Sequence, residues 1–125
     1  MEQTIRELTR AELEVMQIIW ERGGALVSEV IEQMPEPKPA TTTVSTIIRI
    51  LEKKGFVSHT SEGRSFRYHP LVSREEYTNV FMSGVLSNFF GNSLSQLVSF
   101  FAEKERISSG EMDEILEILR RDEQK

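Results

Sequence analysis

Residues 41–70 read TTTVSTIIRILEKKGFVSHTSEGRSFRYHP, and the change of hydrophobic period inside this stretch decides the fold. Up to Lys54 the apolar residues Val44, Ile47, Ile48 and Leu51 recur at i, i+3, i+4 and i+7, the stripe of a helix that faces a core. The opposite side carries Thr42, Ser45, Thr46 and Arg49 at the same spacing, with Lys53 one turn beyond. Gly55 stands where a helix takes a left-handed terminal residue. Beyond it the period falls to two. Phe56–Thr60 predicts a strand, Ser61–Arg64 a turn and Ser65–His69 the returning strand, with Phe66 and Tyr68 on one face and Arg67 and His69 on the other.

Upstream, Thr9-Arg10-Ala11-Glu12 is a capping box, with Leu8 and Leu13 at the two staple positions around it. Leu13, Met16, Ile19 and Trp20 follow at helical spacing until Gly23-Gly24. A short extended piece, Ala25-Leu26-Val27, leads into a second helix carrying Val30, Ile31 and Met34, which the prolines at 35, 37 and 39 end. Three helices and then a hairpin with a basic tip is the element order of a winged helix-turn-helix. Its core is expected around Leu13, Trp20, Ile48, Leu51 and Phe66.

Downstream, Ser73-Arg74-Glu75-Glu76 opens a long helix to about Phe90, Gly91-Asn92 breaks it, and Ser93 to about Ala102 forms another. Ser108 to Arg121, with a Ser108/Glu111 box, carries the stripe Met112, Ile115, Leu116 and Leu119. Five of the seven Phe fall in this tail, at 81, 89, 90, 100 and 101. So short a helical segment buries too little surface to fold alone, and the simplest cover is a second copy of itself. The expected architecture is mainly α: a winged helix-turn-helix over residues 1–72 and an all-helical dimerisation domain over 73–125. Phe81, Val85, Phe89, Met112, Ile115, Leu116 and Leu119 are its expected contact residues.

The absence of Cys removes disulfides, thiolate metal sites and cysteine nucleophiles. His59 and His69 have no partners at metal-ligand spacing, and Gly23-Gly24 lacks a phosphate-loop lysine, so neither a catalytic constellation nor a cofactor site is expected. No apolar run is long enough to span or insert into a membrane, and MEQTIRELTR is too charged for a signal peptide, which predicts a cytoplasmic protein.

The net charge of −5 conceals an uneven distribution. Residues 1–37 sum to −5, residues 38–74 to +5 and residues 75–125 to −5. A basic middle containing the helix-and-hairpin stretch is the footprint of an anion-binding surface, here double-stranded DNA. Thr42, Thr43, Ser45, Thr46 and Arg49 are placed to read bases: short hydroxyl side chains let a helix lie deep in the major groove, and Arg49 suits guanine O6 and N7. Thr9, Arg10, Lys53, Lys54, Arg64 and Arg67 are the expected phosphate contacts. The competing reading is a winged-helix adaptor whose hydroxyl face docks a protein without sequence-specific DNA binding.

Three runs carry a resemblance to a known family: LTRAELEVMQIIWERGGALVSEVIEQM (8–34), TTTVSTIIRILEKKGFVSHTSEGRSFRYHPLVSREEY (41–77) and LSQLVSFFAEKERISSGEMDEILEIL (94–119). The AELEVMxxIW opening, a TxxTxxxRLxKKG-like helix with Ile50-Leu51 at the RL position, the EGRxFxY wing and the LVxxFA segment resemble the BlaI/MecI penicillinase repressors. The resemblance implies a homodimeric transcriptional repressor on a palindromic operator, answering to β-lactams through a membrane-bound sensor-protease or a protease it activates. It also implies inactivation by a cut in the tail, which maps onto Phe100-Phe101. The chain departs from the family in carrying Phe100 where members often have Asn, and Thr42 and Ser45 where some carry Lys and Arg. A related copper-responsive branch binds metal through a Cys-rich tail, a device this Cys-free chain cannot use.

Overall fold

The first two helices each begin on a side chain that satisfies open backbone groups. α1 (Arg10–Arg22) starts at Thr9, whose Oγ1 accepts from the Glu12 amide at 3.2 Å while Glu12 Oε1 accepts from the Thr9 amide at 2.9 Å. It ends at Gly23, with φ of 79° in the left-handed region. Strand β1 (Ala25–Leu26) runs straight into α2 (Val27–Glu32), where Glu29 Oε1 accepts from the Leu26 amide at 2.9 Å. Beyond α2, Lys38 Nζ donates to the carbonyls of Glu32 and Met34, each at 2.7 Å. α3 spans Thr41–Lys53, and β2 (Val57–Glu62) and β3 (Ser65–Pro70) follow as the wing. The computed structural model describes residues 5–104 and 106–123.

The sheet is antiparallel with strand order β1-β3-β2, in a register that pairs Ala25 with Tyr68, Val57 with Pro70 and Glu62 with Ser65. The extended piece before α2 is therefore a third strand on the hairpin, which periodicity over two residues cannot reveal. Val15, Met16 and Ile19 of α1, Val30 of α2, and Val44, Ile48 and Leu51 of α3 are fully buried with Phe56 and Val57. Of the expected core, Ile48 and Leu51 are central, while Leu13 and Trp20 are half-buried at its edge. Phe66 is not core. It is 47% exposed because the hairpin runs outward past the helices; Tyr68, two residues nearer the strand's core end, takes the buried place on that face.

α4 (Arg74–Phe90) opens on the Ser73–Glu76 box, with both bonds at 3.0 Å. The chain divides into two compact units between Phe81 and Met82, beyond the boundary expected after residue 72. Tyr77 is the reason. Its ring lies 6.0 Å from Trp20 and 5.8 Å from Phe56, and its hydroxyl accepts the buried Leu8 amide at 2.9 Å. Trp20 Nε1 donates to the Val72 carbonyl at 2.8 Å beside it. Loss of that hydroxyl would strand a buried donor, a cost of roughly 1–3 kcal/mol.

The second unit holds the rest of α4, α5 (Leu94–Glu103) and α6 (Ser109–Glu123). Ser93 caps α5 through the Gln96 amide at 3.2 Å, and Ser108 caps α6 through the Glu111 amide at 3.1 Å. None of the residues whose burial is described in this unit is buried in the single chain. Phe89 is 76% exposed, and Leu94, Phe100, Leu116, Ile118 and Leu119 are exposed too.

One ion pair joins α1 to the end of α3. Lys54 Nζ lies 2.6 Å from Glu12 Oε1, with the two side chains 14% and 7% exposed. Burial works against the Glu12 charge, but the bonds from Lys54 and the Thr9 amide and the Lys54 charge outweigh it, and its carboxyl is held below the ordinary value. A lowered carboxylate contributes stability in full above its unfolded value, about pH 4.3, and loses it as pH falls through the folded value. Glu12→Gln should therefore cost roughly 2–4 kcal/mol at neutral pH, from the weakened cap and the unpaired Lys54. In urea unfolding between pH 7 and pH 3, the gap to the parent chain should close below about pH 4.3. A gap that stays constant into acid would show that the Glu12 charge contributes nothing.

Candidate nucleic-acid interface

α3 turns its two faces as the apolar stripe dictates. With Val44, Ile48 and Leu51 inward, Thr42, Thr43, Thr46, Arg49, Ile50 and Lys53 are exposed and Ser45 is half-buried at the side. All five expected base-reading residues thus lie on the accessible part of one helix. The Thr46 hydroxyl is bound within it, donating to the Thr42 carbonyl at 2.8 Å, so the proton it could offer a base is already used.

The expected phosphate contacts divide sharply. Arg10, Lys53 and Arg64 are exposed, and among the described residues no carboxylate lies within ion-pairing distance of them or of Arg49. Arg64 occupies the two-residue turn of the wing, after Gly63 with φ of 63°. Thr9 keeps its hydroxyl proton free, since its oxygen serves the cap as an acceptor.

Lys54 and Arg67 are corrections. Lys54 is half-buried against Glu12 and faces the α1–α3 contact. Arg67 is gripped by Glu62 through Nε and Nη2, both at 3.0 Å, and by Glu29 through Nη1 at 3.1 Å. Its bond to Glu62 leads the causes that push its pKa up, and reciprocally the Glu62 carboxyl is held down. Glu29, lowered first by the Leu26 amide and then by Arg22 and Arg67, also binds Arg22 at 3.0 Å. Arg67 fastens the wing, and Arg22 the end of α1, to the start of α2. They are not offered to an anion.

Between α3 and the wing lies an open cleft of about 800 Å³, with Ser45, Arg49 and Glu52 on one wall and His59 and Phe66 on the other. His59 Nδ1 meets Glu52 at 2.5 Å and its ring lies 4.5 Å from that of Phe66. Among the described residues no cluster of His, Asp or Glu could hold a metal, and no helix is long and apolar enough to cross a membrane.

The chain is thus a winged helix with an exposed hydroxyl-and-cation helix face, and it has known kin. The profile of the penicillinase repressor family matches residues 8–121. This chain belongs to the penicillinase repressor family. It is 33% identical to the penicillinase repressor of Bacillus licheniformis over 92% of this chain and 91% of that one. It is 31% identical to the methicillin resistance regulatory protein MecI of Staphylococcus aureus (strain N315), over 95% and 98%. The solution structure of monomeric Bacillus licheniformis BlaI in complex with the blaP half-operator is similar at 35% identity and a TM-score of 0.50, covering 59% of this chain and 92% of that one.

In this member of the penicillinase repressor family, Phe100-Phe101 sits in the last turns of α5. The Phe100 carbonyl accepts from the Lys104 amide at 3.3 Å, and the Phe100 ring packs edge-on against Phe90 and Phe101 at 5.7 and 5.5 Å. The bond is helical, so a protease must unwind the end of α5 to reach it. Of the expected dimer contacts, Phe81, Phe89, Leu116 and Leu119 are exposed, and Val85, Met112 and Ile115 are half-covered. Sequence reading missed Ile50, an exposed isoleucine on the outward part of α3 whose place at the RL position was its only signal.

Proposed function

We propose that this chain is a homodimeric transcriptional repressor that binds a palindromic operator, with α3 in the major groove and the wing on the flanking backbone. The observation that carries this reading is the sorting of cations. Among the described residues, Arg49 and Lys53 on the hydroxyl-bearing helix, Arg64 on the wing and Arg10 at the start of α1 have no carboxylate partner, while Lys54 and Arg67 are tied inward. A surface built to dock a protein through hydroxyls has no need of that arrangement, and phosphate does. The half-operator complex of a family relative supports DNA as the partner.

The second unit supports two copies. Helices with no described residue buried are stable only when another surface covers them, and a second tail supplies one of matching chemistry. Two linked winged helices then bind two half-sites with an effective concentration that neither has alone. The names of the relatives point to β-lactam-responsive genes, and we place the relieving cut at Phe100-Phe101, which would separate α6 from the unit.

Arg49→Ala should narrow the ratio of specific to non-specific binding by roughly 1–3 kcal/mol, measured on an operator footprinted beside the chain's own gene. Arg64→Ala should weaken every duplex alike and reduce the log–log salt slope by about one. Lys54→Ala and Arg67→Ala should lower stability and leave that slope unchanged; a changed slope would return them to the interface. An unchanged Arg49→Ala ratio would make Arg49 a phosphate clamp.

In sedimentation, Phe89→Asp should convert the dimer to a monomer whose winged unit still unfolds cooperatively. A dimer that persists would move the interface off α4. Repressor recovered from β-lactam-treated cells should show by mass a fragment ending at Phe100, and intact protein on a derepressed promoter would refute proteolytic relief.

A further inference from the structure

We propose that Ile50 is a specificity residue that reads thymine through its 5-methyl group, an inference that rests on α3 entering the major groove. Ile50 is the one large apolar side chain exposed on α3, at 41%. It stands one turn after Thr46, whose hydroxyl is spent on the Thr42 carbonyl at 2.8 Å. Thr46, Arg49, Ile50 and Lys53, with Glu52, line a shallow hollow of about 440 Å³ on the outside of the helix.

The rim of this hollow decides what fills it. Arg49 and Lys53 have no carboxylate partner among the described residues, and Glu52 is engaged by His59 at 2.5 Å. An apolar spot between two unpaired cations suits a polyanion that carries an apolar group. In the major groove that group is the C5-methyl of thymine, which no other base of unmodified DNA offers. Arg49 and Lys53 would hold a neighbouring guanine or phosphate while Ile50 covers the methyl. A wholly apolar protein ligand would leave both cations desolvated and unpaired.

The test uses the full-length chain to select duplexes from a randomised pool, then replaces each thymine of the selected sequence by deoxyuridine, which removes the methyl and keeps the pairing edge. At one thymine per half-site the parent chain should lose about fourfold in affinity, the worth of one buried methyl group. Ile50→Ala should bind the thymine and deoxyuridine forms of that step equally and keep the parent's response at every other step. Ile50→Val should retain part of the discrimination. Discrimination that survives Ile50→Ala at every step would overturn the proposal and leave Ile50 to a protein contact, as would a parent chain indifferent to every methyl. A pool that yields no preferred sequence would overturn the repressor reading itself, and this inference with it.

Discussion

One carboxylate oxygen fixes the posture of the recognition surface. Glu12 Oε1 accepts both the Thr9 amide, at the first turn of α1, and the Lys54 ammonium, at the C-terminal cap of α3. A buried carboxylate tolerates little else, because any arrangement that removes either donor leaves charge without compensation. The start of one helix and the end of the other are therefore held to one geometry. Val15, Met16 and Ile19 of α1 and Ile48 and Leu51 of α3 fill the interface below it. What α3 presents outward is decided by what this contact and the core force inward.

The same logic of paired charge turns a broad basic segment into a narrow surface. Residues 38–74 are net +5 as a sequence. In space Lys54 belongs to Glu12, Arg67 to Glu62 and Glu29, and Lys38 to the end of α2. Arg74 lies over the Trp20 ring, 5.8 Å from its centre. The cations left on or beside the proposed groove-facing surface are Arg49, Lys53 and Arg64, with Arg10 at the start of α1. Lys54 and Arg67 are each withdrawn by a carboxylate that also fastens two elements. Structure and the proposed specificity therefore draw on the same pool of charge.

Local chemistry was legible and distant chemistry was not. Thr9/Glu12, Gly23, Ser73/Glu76 and the i, i+3, i+4 stripe of α3 are decided within a turn or two of chain, and each forms as the residues dictate. The Lys54–Glu12 pair spans 42 residues and the Arg67–Glu29 pair 38, so no spacing rule could join them, and both cations looked available for phosphate. Phe66 failed for another reason. Alternation tells which face of a strand a residue occupies, but not how far the sheet extends past its core. Tyr77 looked like one more residue of the tail, and only distant contacts, its hydroxyl with the Leu8 amide 69 residues away and its ring with Trp20 and Phe56, draw it into the winged unit.

The two units differ in what they can survive, and that difference gives the proposed regulation its physical basis. The first closes a core of fully buried side chains from three helices and a sheet, and its recognition face is complete in one chain. The second has aromatic and aliphatic surface and no buried residue among those described, and in the proposed dimer a second tail covers it. A signal that had to disable the first unit would need to break a packed domain. In the proposed dimer, a signal that acts on the second needs only to separate two tails, and DNA affinity would then fall because two half-sites are no longer engaged together. A helical bond such as Phe100-Phe101 fits that economy. Its protection is the end of α5 and the packing of Phe90, Phe100 and Phe101.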